Sequence, residues 1–246
     1  MTAPLLEVGG LTKRFGGVTA VDSCSFSVPE GTVTALVGPN GSGKTTVFNL
    51  VTGYLRRDAG AINFAGVAVR RPDPTRLSRR GLTRTFQHAR IFPDLTLVQN
   101  MVAAVQQPWH ALLPMRRAVR SGERSRALEL LEEFGLARLA HDRAGTLSYG
   151  QKKLLEFAAV LMGDPRLVLL DEPTAGVNPV LVEQIEERIR QLNARGLTFL
   201  VVEHNMSLVM RLCDPVVVLD HGTKLAEGRP ADVRNAPRVL DAYLGG

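Results

Sequence analysis

A glycine-rich segment that ends in a lysine and a threonine is the clearest chemical signal in this chain. Residues 38–45 match the pattern G-x-x-x-x-G-K-[ST] of a phosphate-binding loop, in which backbone N–H groups and a helix N-terminus face the phosphates of a nucleotide. We expect Lys44 to reach the β and γ phosphates, the hydroxyl of Thr45 to bind Mg²⁺, and Thr46 to hydrogen-bond the α phosphate. The candidate nucleotide-binding residues here are Gly38, Pro39, Asn40, Gly41, Ser42, Gly43, Lys44, Thr45 and Thr46.

Two adjacent carboxylates follow an apolar run at residues 167–170. Such a run predicts a buried strand, and ligands of open α/β sheets bind at the carboxyl ends of the strands. Asp171 suits the coordination of Mg²⁺, and Glu172 suits the general base that activates a water molecule. An Asp-Glu-Pro sequence also opens many helices, with Pro173 in the first turn. The phosphate loop upstream favours the catalytic interpretation.

Two single polar residues carry less information. His204 follows the apolar run 198–202 and could contact a γ phosphate or the water, although a histidine at a strand end is usually structural. Gln87 lies within residues 84–88, and its type and position alone indicate no particular chemistry. Physical chemistry by itself therefore assigns no role to either residue.

The sequence Leu147-Ser148-Tyr149-Gly150-Gln151 predicts the beginning of a helix. Ser148 and Gln151 have the spacing of a capping box, in which each side chain accepts a hydrogen bond from the backbone of the other residue. A capped helix start also presents N–H groups to a bound anion. Ser148 and the amide of Gly150 are therefore candidates for contact with a phosphate as well as for capping.

Apolar runs predict two kinds of strand. Residues 24–28 alternate apolar residues with serine, which indicates a sheet with one buried face, and residues 5–8 predict another strand in that region. Continuous apolar runs at 33–37, 167–170 and 198–202 are typical of strands that are buried on both faces. A further strand at 216–219 and a short helix after residue 236 complete the predicted elements.

Helical periodicity occurs between these strands. It predicts a helix that ends near Gly135 and a second helix between the runs at 167–170 and 198–202, so those two strands should pair in parallel. Prolines divide residues 70–115 into short helices and loops. The apolar positions of the two helices are Ala127, Leu130, Leu131 and Phe134, and Val182, Ile185, Ile189 and Leu192.

The composition is that of a globular protein with a sizeable core, since 45% of the 246 residues are hydrophobic. No apolar run approaches the roughly 18 to 20 residues that span a bilayer, and the N-terminus lacks the features of a signal peptide, so we expect a cytosolic chain. Cys24 and Cys213 lie far apart and lack metal-ligand spacing, which predicts two reduced core residues.

The net charge of +6 arises largely from arginines within residues 70–90 and 116–126. Neither stretch is interleaved with aromatic residues that could stack on bases, so nucleic acid is not expected as a partner. We interpret both stretches first as solvated helix faces, with phospholipid headgroups or an acidic partner as the alternative.

Together these segments resemble the ATP-binding subunits of ABC transporters over essentially the whole chain. Residues 38–45 resemble the Walker A motif, residues 147–151 the signature and residues 167–172 the Walker B motif. Gln87 and His204 resemble the Q-loop glutamine and the switch histidine. Five motifs in the family's order make the resemblance specific.

The resemblance implies ATP and Mg²⁺ as ligands and assigns further residues. It implies that Phe15 stacks on adenine, that Gln87 and His204 act with Glu172 in hydrolysis, and that Gln87 joins Thr45 and Asp171 around Mg²⁺. It also implies that ATP is shared with a second subunit, so that two bound ATP molecules close a head-to-tail pair. The residues that would contact the partner's ATP are Ser148, Gly150 and Gln151.

Four shorter segments are similar to the ATPases of branched-chain amino acid importers, at residues 84–88, 175–179, 202–206 and 242–245. This similarity implies uptake of branched-chain or related amino acids, with a urea, amide or other small-solute transporter as the alternative. The chain departs from the general family pattern at positions 149 and 178. Both residues resemble those of the branched-chain amino acid importer ATPases, so we do not expect them to abolish ATPase activity. They are Tyr149 in place of glycine and Asn178 in place of aspartate.

The implied fold is α/β, a P-loop NTPase fold of the ABC ATPase type with a RecA-like core, an N-terminal antiparallel β subdomain and an inserted α-helical subdomain. The chain would form a single domain, 1–246, in which residues 1–87 and 147–246 form the catalytic core and residues 88–146 the helical subdomain. Ile91, Phe92 and Leu95 would either form a docking surface for a permease or belong to a small core.

The implied partners are a second ABC ATPase subunit, identical or a paralogue, two integral membrane permeases and, indirectly, an extracytoplasmic solute-binding protein. The chain would then lie at the cytoplasmic face of the membrane as a peripheral subunit. A soluble ABC ATPase acting on nucleic acid or ribosomes would instead carry tandem cassettes or a long coiled-coil insertion between Gln87 and Ser148. The proline-broken insertion in this chain disfavours that alternative.

Overall fold

The computed structural model of the protein describes residues 4–85, 91–105 and 121–244. Within these ranges, no helix is both long enough and apolar enough to cross a membrane. Cys24 and Cys213 are free and buried, as the sequence predicts. The expected roles of Gln87 fall outside the described residues.

An antiparallel sheet packs on one side of the molecule, with its strands in the order β2-β1-β4-β5. Its strands are β1 Pro4–Phe15, β2 Val18–Pro29, β4 Ala59–Phe64 and β5 Val67–Ala68. The stretch in which apolar residues alternate with serine corresponds to β2. Its residues Phe26 and Val28 pair with Val8 and Leu6 of β1, and all four are buried. Both predicted strands are confirmed but are longer than expected. The sequence patterns did not identify β4 and β5.

A mostly parallel sheet forms the centre, with its strands in the order β10-β9-β3-β8-β7-β6. Its strands are β3 Val33–Val37, β6 Leu82–Arg84, β7 Leu167–Asp171, β8 Thr198–Val202, β9 Val216–Asp220 and β10 Thr223–Gly228. Every residue of β3, β7 and β8 is buried, because one face of the sheet packs on the antiparallel strands and the first two helices while the other face packs on helices from residue 97 onward. The predicted parallel pairing of β7 with β8 is confirmed.

The helices follow the predicted periodicity where it was strong. They are α1 Lys44–Val51, α2 Pro74–Arg79, α3 Leu97–Val105, α4 Ser121–Glu133, α5 Tyr149–Val160, α6 Pro179–Ala194, α7 Met206–Leu212, α8 Pro230–Arg234 and α9 Pro237–Leu244. In α6, Ile185, Ile189 and Leu192 are buried as expected. After α4, Gly135 takes a φ of +70°, the left-handed conformation that ends helices.

The helices α3 and α4 share the apolar core of the parallel sheet. Leu97 and Met101 of α3 and Leu130 and Leu131 of α4 are buried in the same cluster as residues of β7 and β8. Ile91 packs against this cluster, whereas Phe92 is 58% exposed. Of the two alternatives for this segment, a small core and a docking surface, Ile91 therefore fits the core and Phe92 fits a surface position.

Candidate functional site

The phosphate loop lies between β3 and α1, at the carboxyl edge of the parallel sheet. Its backbone excludes side chains at two positions. A Cβ on Gly38 would lie 2.1 Å from the carbonyl oxygen of Leu219, and one on Gly43, which has a φ of +99°, would lie 2.6 Å from that of Ala20. The glycines of the pattern are therefore required by both conformation and space.

Lys44 folds back across this loop. Its Nζ donates hydrogen bonds to the carbonyl oxygens of Gly38 and Pro39 at 2.8 and 2.7 Å, and the residue is buried. Burial lowers the pKa of Lys44, whereas the carboxylates of Glu172 and Asp171 act to raise it. The lysine of the loop and the two carboxylates at the end of β7 thus belong to one electrostatic site.

The other candidate residues of the loop differ in exposure. Ser42 is buried and Thr46 is half-buried, whereas Asn40, Gly41 and Thr45 are exposed. An exposed Thr45 hydroxyl at the start of α1 is accessible to a ligand.

Asp171 ends β7 and is buried, with 4% of its surface exposed. Its Oδ2 accepts a hydrogen bond from Nη2 of Arg84 at 2.8 Å, and its backbone N–H donates to Oγ1 of Thr85 at 3.3 Å. Burial is the main influence on the pKa of Asp171 and raises it, while the Arg84 guanidinium acts to lower it. The carboxylate is therefore held in place before any ligand arrives.

The interpretation of Arg84 as part of a solvated basic face is wrong. Its side chain is only 6% exposed, and it also donates to Asn49 and Thr52 of the segment around α1. The guanidinium lies 5.8 Å from the ring centroid of Phe48. Arg84 is buried because β6 pairs directly with β7, and no local pattern in the sequence reveals that pairing.

Glu172 and His204 are in direct contact. Oε1 of Glu172 lies 2.8 Å from Nε2 of His204, and the backbone N–H of Glu172 donates to the carbonyl oxygen of Val202 at 2.9 Å. Glu172 has a φ of +48°, which is rare for a residue with a side chain. Adjacent parallel strands β7 and β8 thus bring together two residues that the sequence places 32 positions apart.

The predicted capping box is present at the start of α5. Gln151 N donates to Ser148 Oγ at 3.3 Å, and Ser148 N donates to Gln151 Oε1 at 2.9 Å. Ser148 is exposed, and Gly150 and Gln151 are half-buried. The helix start is accessible to an external group.

Both departures from the family pattern have local partners. The hydroxyl of Tyr149 donates to the carbonyl oxygen of Ala175 at 3.4 Å, in the loop that follows Glu172. Asn178 caps α6 by accepting a hydrogen bond from Leu181 N at 2.9 Å. The sequence indicated neither the Tyr149 contact nor that the loop after Glu172 touches the start of α5.

Phe15 stands at the end of β1 with 47% of its surface exposed. The Nζ of Lys13 lies 5.3 Å from the centroid of its ring. An exposed aromatic face beside a cation is available to an aromatic ligand.

The residues at this edge fit a nucleotide with its magnesium ion. At Gly38 and Gly43 of the phosphate loop the backbone lies where a side chain would not fit. The Thr45 hydroxyl and the Asp171 carboxylate are the hard oxygen ligands that Mg²⁺ prefers. Across the described ranges, no group of three or more His, Cys, Asp and Glu side chains is placed to hold a metal ion.

Comparison with known families gives two matches. Residues 21–175 match the ABC transporter family, and residues 223–246 match a family described as branched-chain amino acid ATP-binding cassette transporter. Two curated relatives are high-affinity branched-chain amino acid transport ATP-binding proteins. BraF of Pseudomonas aeruginosa is 41% identical and LivG of Escherichia coli K12 is 39% identical, each over 100% of this chain and 99% of the relative.

Two solved structures are also similar throughout. A nucleotide-free ATP-binding cassette from an ABC transporter aligns with a TM-score of 0.90 at 33% identity, covering 99% of this chain and 100% of its own. The ADP conformation of an ATP-binding cassette of an ABC transporter aligns with the same TM-score and identity, covering 100% of both chains.

Proposed function

Because this chain belongs to the ABC transporter family as an ATP-binding subunit with ATPase activity, we propose that it energises the uptake of branched-chain or related amino acids. The transport class is supported by relatives that match over the full length and by the family match at residues 223–246. The expected ABC ATPase fold is confirmed, since both similar cassettes align with a TM-score of 0.90.

The observation that carries the proposal is the contact between Glu172 and His204 at the same sheet edge as the phosphate loop. β3, β8 and β7 are neighbours in the sheet and run parallel, so the segments that follow them meet at one edge. A lysine-bearing glycine loop, a buried aspartate and a histidine-paired glutamate together suit the hydrolysis of a nucleoside triphosphate.

Each residue then has a distinct task. The loop residues from Gly38 to Thr46 bind the phosphates through backbone N–H groups and the Lys44 ammonium. Glu172 accepts a proton from the attacking water as general base. His204, at 2.8 Å from the Glu172 carboxylate, orients that carboxylate.

Thr45 and Asp171 would hold Mg²⁺, together with Gln87, which lies outside the described residues. When bound, Mg²⁺ polarises phosphoryl oxygens as a Lewis acid. Phe15 would stack on adenine, for which its exposed ring is suited.

A second ATPase subunit would complete the site. The exposed, capped start of α5 offers Ser148, Gly150 and Gln151 to the ATP bound by the partner. ATP held between the two subunits would favour the closed pair, since only that pair contacts it from both sides. Hydrolysis would then reopen the pair.

The remaining partners are two membrane permeases and, through them, an extracytoplasmic solute-binding protein. In this proposal the chain divides into a catalytic core, 1–87 and 147–246, and a helical subdomain, 88–146, that docks on the permeases at the cytoplasmic face of the membrane. Exposed Phe92 is an apolar docking candidate among the described residues of that subdomain.

The test is uptake by vesicles that contain this chain and candidate permeases, with ATP on the chain's side of the membrane. We expect ATP-dependent uptake of labelled leucine, and its absence alongside uptake of urea would replace the substrate class.

Glu172→Gln should retain ATP binding, lose turnover and accumulate closed pairs. Normal steady-state hydrolysis in this variant would refute the general-base assignment. Glu30→Gln is the control, because Glu30 is half-exposed and pairs with Arg166 outside the site.

A further inference from the structure

Glu203 is a buried carboxylate to which no sequence motif assigns a task. It lies between the end of β8 and His204, and only 3% of its surface is exposed. A glutamate is rarely buried so completely unless its oxygens are bound. Its partners therefore indicate why it is there.

Within the described residues, the hydrogen-bond donors to the Glu203 carboxylate belong to the two loops that carry Glu172 and His204. Oε1 of Glu203 accepts hydrogen bonds from N and Oγ1 of Thr174 at 3.1 and 2.5 Å. Oε2 accepts from the backbone N–H groups of His204 and Asn205 at 3.1 and 3.3 Å. One oxygen thus binds the loop after Glu172, and the other binds the loop that contains His204.

These bonds close a ring of contacts. Glu172 touches His204, His204 N binds Glu203, and Glu203 binds Thr174, which is two residues after Glu172. Glu172 also holds a φ of +48°, a conformation that persists only where the surroundings enforce it. The Glu203 carboxylate supplies part of that enforcement from the neighbouring strand.

We propose that Glu203 is a positioning residue for ATP hydrolysis. Its carboxylate holds Glu172 and His204 in contact by linking the loop after β7 to the loop after β8 through hydrogen bonds. The proposal rests on the proposed function of Glu172 and His204 in hydrolysis. Because Glu203 acts only through Glu172 and His204, it should affect the rate of the chemical step and leave nucleotide binding unchanged.

A second buried glutamate shows what a purely structural role would look like. Glu186 on α6 is 5% exposed, and its carboxylate binds the guanidinium groups of Arg211 and Arg190 at 2.7 and 2.6 Å. Neither arginine belongs to the loops of the hydrolysis pair. Glu186→Gln is therefore a matched control for loss of a buried carboxylate.

The main test is Glu203→Gln in the assembled transporter. The glutamine amide keeps one accepting oxygen but turns an NH₂ group toward donors of one loop, so the fastening on that side is lost. We expect kcat to fall by about ten- to a hundredfold, as for small misplacements of catalytic groups. KM for ATP and the affinity for a fluorescent ATP analogue should stay at wild-type values, and Glu186→Gln should keep wild-type kcat.

Thr174 provides a second, gentler variant in case Glu203→Gln does not fold. Thr174→Val removes only the hydroxyl donor at 2.5 Å and should lower kcat without changing KM. Thr174→Ser restores the donor and should recover the rate. The double variant Glu203→Gln with Thr174→Val should be barely slower than Glu203→Gln alone, because both changes weaken the same link between the two loops.

Three results would overturn the proposal. One is a wild-type kcat in both Glu203→Gln and Thr174→Val, and another is a parallel change in KM and kcat. The third is failure of Thr174→Ser to recover the rate lost in Thr174→Val. A wild-type complex that does not hydrolyse ATP would instead refute the proposed function, so the two failures are distinguishable.

Discussion

Arg84 and Asp171 form an ion pair inside the catalytic edge of the sheet, with Nη2 and Oδ2 2.8 Å apart and each side chain only 6% exposed. Arg84 ends β6, three residues before Gln87, and Asp171 ends β7 beside it. The pair therefore links the strand that precedes Gln87 in the sequence with the aspartate that we expect to hold Mg²⁺.

Arg84→Met should destabilise the fold by about 3 to 5 kcal/mol, because it leaves the Asp171 charge buried without its partner. The measurement is the free energy of unfolding in urea. Arg166→Met is the control, since Arg166 and Glu30 are also 2.8 Å apart but are each 50% exposed. That exposed pair should contribute at most about 1 kcal/mol, and equal losses in the two variants would contradict the assigned role of burial.

Ser148→Arg should abolish ATP turnover by the assembled transporter while the isolated chain still binds ATP. The reason is that Ser148 caps α5 and faces outward, so a bulky cation there blocks the partner's ATP and leaves the chain's own phosphate loop intact. Nucleotide titration of the isolated chain and turnover of the complex are the two measurements.

The control for loss of a cap is Asp73→Arg at the start of α2, where Asp73 accepts from Arg76 N at 2.8 Å. It should cost about 1 kcal/mol of stability and leave turnover unchanged. Loss of ATP binding by the isolated Ser148→Arg chain would exclude a role across the subunit interface.

Cys24 and Cys213 should not react with iodoacetamide at pH 8 in the folded protein. Burial raises the pKa of Cys24 to about 11 and that of Cys213 to about 12, so neither thiol ionises appreciably. Both should react in urea, where an exposed thiol has a pKa of about 8.5. Mass spectrometry measures the labelling, and Thr19→Cys, at an exposed position of β2, should label at once in the folded state. Rapid labelling of either native thiol would contradict its burial.

Glu186 should stabilise the protein at neutral pH and lose that effect in acid. Hydrogen bonds from Arg211, and then Arg190, hold the pKa of Glu186 below its usual value. Since the unfolded state binds the proton more readily, the contribution is present above the unfolded pKa of about 4.3 and is lost as the pH falls through the folded value.

The stability difference between wild type and Glu186→Gln should therefore shrink as the pH falls below about 5. Urea midpoints between neutral pH and acid measure it. Glu187→Gln is the control, because it removes a neighbouring carboxylate of the same helix whose side chain is 55% exposed. A difference that grows toward acid would contradict the direction of the pKa shift.

Much of the fold was predictable because it depends on short stretches of chain. The buried strands β3, β7 and β8 follow from continuous apolar runs, and α6 follows from a repeat of 3.6 residues. The strands β4 and β5 were missed because their exposed residues and glycine leave little pattern. They become strands only because β4 pairs with β1 and β5 pairs with β4.

The candidate site divides in the same way. The glycine loop and the capping box of Ser148 and Gln151 are local, because glycine conformation and a three-residue spacing specify them without help from the rest of the chain. The sequence by itself therefore determined the family, the fold class and the candidate phosphate site.

Only the tertiary structure decided which side chains meet. It pairs Arg84 with Asp171, 87 positions apart, and Glu172 with His204, 32 positions apart, and it fastens Thr174 to Glu203. The first contact depends on the pairing of β6 with β7, which no local pattern predicts, and the other two depend on the register of the predicted pair β7 and β8. The physical reason is that parallel neighbours bring their carboxyl ends to one edge, whatever their separation along the chain.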